Sequence, residues 1–130
     1  MKALERALIV VAALFIALTI PHVIEDVTFG ETARLGLTML QAGLVVGGLH
    51  ALLVLAVFDA SRRGRLGAWA MIVIGLIWTI GIIVIHGPEI QTGGFGRGGA
   101  SLVLLAAMFV LALALTALGG RILLRLLDKD

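Results

Sequence analysis

Three observations predict an all-α polytopic membrane protein, a four-transmembrane-helix bundle with both termini cytoplasmic. The chain has four long apolar segments, very little charge, and basic residues gathered at one side of those segments. Of 130 residues, 61% are hydrophobic and only 14% are charged. A soluble domain is roughly 45–50% apolar and about 25% charged. So little polar surface does not coat a water-soluble globule, and a bilayer is the solvent that fits. The length suits a single integral membrane domain over residues 1–130.

Crossing the hydrocarbon core takes about 20 mainly apolar residues, since a helix rises 1.5 Å per residue through about 30 Å. The first span is expected from Ala3 to Ile24 and the second from Leu35 to Phe58. The third is expected from Leu66 to Ile85 and the fourth from Ser101 to Leu118, with a helical cytoplasmic tail to about Leu127. No segment alternates with period two, as a membrane barrel strand would. Lipid offers the backbone no hydrogen-bond partner, which favours helices. Lys2 and Arg6 before an apolar run resemble the start of a signal peptide, but no small-residue cleavage site follows, so a retained helix is expected.

Basic residues set the expected orientation. With the N-terminus inside, Lys2, Arg6, Arg62, Arg63, Arg65, Arg121, Arg125 and Lys129 are cytoplasmic, and only Arg34 and Arg97 face out. The flipped arrangement contradicts the positive-inside rule. Glu25, Asp26, Glu31 and Glu89 join the two outer arginines, so the outer side nets 2 − 4 = −2. Bases beside apolar spans signal topology, and no nucleic-acid partner is expected. The bilayer itself is the expected environment, at the cell membrane.

Asp59 to Arg65 reads as a short basic turn that makes the second and third spans antiparallel neighbours. From Gly87 to Gly99 six of thirteen residues are glycine, which disfavours helix and predicts a mobile outer loop. The two outer corners resemble each other: Pro21-His22 with Glu25, and His86-Gly87-Pro88 with Glu89. A parallel duplication of one hairpin would give that pattern.

Those corners carry the sharpest chemistry. His22 and His86 each end a span, with Glu25, Asp26 and Glu89 three or four residues on. If the first helix continues past Pro21, then His22, Glu25 and Asp26 share a face. Imidazoles with carboxylates suit a metal ion or proton transfer. Gly87-Pro88 is expected to break the helix between His86 and Glu89. Polar residues also gather at interfacial helix ends for want of a cheaper place, which is the bland alternative.

His50 lies about 14 residues into the second span, on the order of 20 Å deep. Ionisable groups at such depth are functional suspects. Gly43, Gly47, His50 and Ala51 share one face, however, and Gly43-x-x-x-Gly47 is a close-packing pattern. The expectation is therefore a neutral His50 at a helix–helix contact, hydrogen-bonded to a carbonyl or to Thr79. Thr38 and Gln41, with Thr19 on the first span, are expected to line a polar pocket or to bridge helices. Trp69 fits an interfacial anchor and Trp78 a packed position. Haem is disfavoured, because His50 sits at a different depth from the other two histidines.

There is no cysteine, no phosphate loop, no His-Glu-x-x-His and no serine beside a histidine. Nothing pairs a nucleophile with a base, so the sequence points away from an enzyme. Length and helix count resemble the small multidrug-resistance exporters, but the carboxylate inside that family's first helix is missing here. The expected role is an accessory or interaction subunit that self-associates or packs in a larger membrane complex. Alternatives are a small dimeric transporter or channel using His50 and Gln41, and an outer-face metal or redox site at His22 and His86.

Overall fold

The computed structural model describes residues 2–93 and 97–128. It contains four long helices and one short one: α1 Lys2–Thr28, α2 Glu31–Arg34, α3 Met39–Ser61, α4 Arg65–Gln91 and α5 Gly99–Leu127. No strand occurs among the described residues. The long helices hold 23 to 29 residues, about 35–43 Å each by helical rise, and all four are apolar enough to cross a membrane. Their outward faces are oily throughout, with Leu40 72% and Leu66 80% exposed. In water that surface would drive aggregation. In lipid it is ordinary.

Around the bundle, α4 packs most extensively on α5, α3 lies against α4, and α1 lies against α5; of the neighbouring long helices, α1 and α3 touch least. The main core gathers Leu8, Phe15, Leu53, Met71 and Leu115, all fully buried. Close approach depends on small residues. A Cβ on Gly75 would sit 2.6 Å from the Ala112 carbonyl, and one on Gly119 2.8 Å from the Ala68 carbonyl. Asp59 closes the α3–α4 turn by accepting a hydrogen bond from the Gly67 amide at 2.6 Å.

Several expectations give way here. α4 is not broken at Gly87-Pro88 but runs on to Gln91, while α1 runs through Pro21, as the expected first span did, and ends at Thr28 instead of Ile24. Each proline forfeits one backbone bond, a loss that helices in apolar surroundings tolerate. The glycine-rich connection is correspondingly shorter. Gly93 and Gly98 take positive φ, 68° and 87°, and Gly99 already opens α5; Gly94 and Gly96 lie outside the described residues. α3 starts at Met39, not Leu35. Thr38 accepts from the Gln41 amide while the Gln41 side chain accepts from the Thr38 amide, a reciprocal capping box. Among the described residues a short helix, α2, follows α1 at the first corner and none follows α4 at the second, so the corners share a proline-containing helix end but not that short helix.

Gly43, Gly47 and Ala51 do not close a contact within the chain. All three are exposed, and a Cβ on either glycine would meet nothing within 4 Å. His50 accordingly has no helix-bridging hydrogen bond. Its ring stacks on Trp78 with centroids 6.1 Å apart, its Nε2 is buried without a partner, and Thr79 donates to the Gly75 carbonyl instead. Trp78 packs edge-on against Phe15, 5.5 Å between centroids, whereas Trp69 is 55% exposed.

Candidate metal centre

His22 stands one turn beyond Thr19 on α1, and Asp26 follows one further turn on, at i+4. Because α1 does not stop at Pro21, both side chains point to the same side of the helix. His86 projects from α4, which lies diagonally across the bundle. The imidazoles meet inside the bundle with centroids 5.1 Å apart and planes inclined at 66°. His22 is 2% and His86 1% exposed.

Asp26 lies between them. Its Oδ2 is 3.4 Å from His22 Nε2, and its Oδ1 is 3.7 Å from His86 Nε2. One donor atom from each of the three residues falls within 4.8 Å of the others. Tetrahedral coordination with bonds of about 2.0–2.2 Å separates donors by about 3.3 Å, so closing on an ion takes at most about 1.5 Å of contraction. Facing helices commonly build metal sites in bundle cores in this way.

Charged groups surround the trio. Arg97, whose side chain is 3% exposed, donates to Asp26 Oδ1 and holds Glu31 at 3.0 Å. Burial lowers its pKa, but hydrogen bonds to Asp26 and Glu31 more than offset that and carry it above the ordinary arginine value. The guanidinium is therefore charged throughout and fixes the Asp26 carboxylate, as ligating carboxylates usually are fixed. Arg34 links Glu31 at 2.8 Å to Glu89 at 3.0 Å. Glu89 Oε2 lies 4.0 Å from His86 Nδ1, on the side of the ring away from Asp26. With Glu25 at the same end, the carboxylates Glu25, Asp26, Glu31 and Glu89 face Arg34 and Arg97, 2 − 4 = −2, with the imidazoles neutral.

Of the five residues singled out at this end, three converge and two serve other partners. Glu25 accepts from Ser101 Oγ at 2.9 Å and Glu89 pairs with Arg34, so neither belongs to the donor trio. The remaining polar residues also have local duties. Thr19 donates to its own Phe15 carbonyl at 2.6 Å, and Thr38 with Gln41 closes the α3 cap, so the expected polar pocket or bridge does not form. Sequence reading missed Arg97 and Glu31 as partners of the site. The available signal was that the end carrying His22 and His86 has two arginines for four acids.

No known protein family matches the chain, and neither curated proteins nor solved structures show a significant similarity to it. The donor geometry is thus the ground on which function rests.

Proposed function

We propose that this protein crosses the membrane four times with both termini in the cytoplasm, and that its outer end holds one divalent transition-metal ion between His22, Asp26 and His86. The carrying observation is that three donors from α1 and α4 lie within 4.8 Å of one another in a buried setting. Two imidazoles with one carboxylate suit zinc or ferrous iron over magnesium or calcium, which prefer oxygen. A local charge of −2 with neutral imidazoles is cancelled by one divalent ion. Three protein donors leave a coordination position for water or a ligand, unlike closed structural zinc sites. The one-sided distribution of lysine and arginine supports the orientation.

The test is zinc binding to purified protein in detergent after chelation and dialysis. One zinc per chain is expected, with binding lost in Asp26→Asn and in His86→Ala. Wild-type protein that holds no more zinc than the His22→Ala/His86→Ala pair would overturn the proposal.

A second reading, an accessory subunit that self-associates, is favoured by the exposed Gly43–Gly47–Ala51 face of α3. Such a face admits a helix of a second copy at close range. A transporter built on His50 and Gln41 has less support, since Gln41 is engaged in the α3 cap and His50 in the stack on Trp78.

A further inference from the structure

Where α1 and α3 part, a cleft of about 200 Å³ runs down from the donor trio between α1, α3 and α4. Its upper end is His22, Asp26 and His86, and its walls are apolar, with Val45, Ile82 and the Trp78 indole among them. Val45 is 54% exposed on the outward face of α3, and Leu35 beside it 52%. The cleft is therefore bordered by surface that would lie in lipid rather than water. At its polar end the His22 Nδ1 is buried with no hydrogen-bond partner. Buried polar atoms in native proteins are nearly always satisfied, and the ring that carries this orphan lines the cleft.

We infer that this cleft takes the hydroxylated ring of a lipid-phase phenol or quinol, its oxygen at the His22–Asp26–His86 end and its tail running out past Val45. The inference rests on the metal site, since the hydroxyl oxygen is suited to the coordination position that three protein donors leave open. The size fits one ring: an apolar cavity of about 150 Å³ is enough to hold benzene. The Trp78 indole offers the ring an aromatic neighbour. A hydroxyl opposite an alkyl tail matches a cleft that is polar at one end and oily at the other.

Gly81 lines the cleft, and a Cβ there would meet nothing within 4 Å, so Gly81→Leu fills the space without disturbing the helices. The experiment uses the zinc-loaded full chain in phosphatidylcholine nanodiscs. Trp69→Phe leaves Trp78 as the single tryptophan. Trp78 fluorescence is followed as 4-dodecylphenol, dodecylbenzene or 1-dodecanol is added, and zinc content is measured on the same samples. Saturable binding of 4-dodecylphenol is expected, at least tenfold tighter than either control, and weakened at least tenfold by Gly81→Leu with zinc content unchanged. Equal binding of either control, or no effect of Gly81→Leu, would overturn the assignment and leave the metal site standing. Protein that takes up no zinc would overturn both.

Discussion

Arg97→Met is expected to lower the stability of the folded bundle by about 3–5 kcal/mol, the usual cost of removing one partner from a buried ion pair. Methionine keeps an apolar stem of similar length in the same space, so the effect isolates the guanidinium. Without it Asp26, whose side chain is 15% exposed, faces two imidazoles and no fixed cation, and Glu31, 7% exposed, retains Arg34. Adding Asp26→Asn to Arg97→Met is expected to restore part of the loss, because the uncompensated carboxylate is then gone. Arg34→Met is the control: its side chain is 66% exposed, and exposed pairs contribute about 0–1 kcal/mol. Unfolding in a mild-to-harsh detergent titration, followed by circular dichroism, measures all three. An Arg97→Met protein no weaker than Arg34→Met would show that Arg97 does not hold this end together.

Gly75→Leu is expected to cost about 1–3 kcal/mol or more, the penalty of overpacking a filled contact. The added Cβ would meet the Ala112 backbone carbonyl at 2.6 Å, and backbone does not yield as a flexible side-chain tip does. The α4–α5 contact, the most extensive in the bundle, would have to open. Gly47→Leu, by contrast, is expected to leave monomer stability unchanged, since no atom stands within 4 Å of a Cβ there. On the self-association reading it lowers the oligomeric mass instead. Detergent-titration midpoints with light scattering on the same samples separate the two effects. Equal destabilisation by both substitutions would contradict the packing described.

Much of the architecture was legible because bilayer thickness imposes length and hydropathy directly on the chain. The four spans follow from that constraint alone. Their ends did not. Pro88 looks like a stop, yet in apolar surroundings a helix keeps every backbone bond it has and gives up one at the proline. The start of α3 was written in the sequence as Thr38-x-x-Gln41, a capping-box signature that the strong hydropathy of Leu35 and Leu37 obscured. For the site, the His22–Asp26 spacing gave the α1 half. Its pairing with His86 is a tertiary fact, set by which helices lie across the bundle axis, and no local pattern contains it. The same holds for Gly43 and Gly47: their spacing permits close packing, but which glycines are covered depends on neighbours, and here those are Gly67, Gly75 and Gly119.

X-ray absorption at the zinc edge of the zinc-loaded protein tests the proposed metal centre most directly. Two imidazoles and one carboxylate in the coordination sphere are expected, with Zn–N of about 2.0–2.1 Å, and no such protein-bound zinc signal in His22→Ala. A sphere of oxygens alone, or a spectrum that His22→Ala leaves unchanged, would contradict the account.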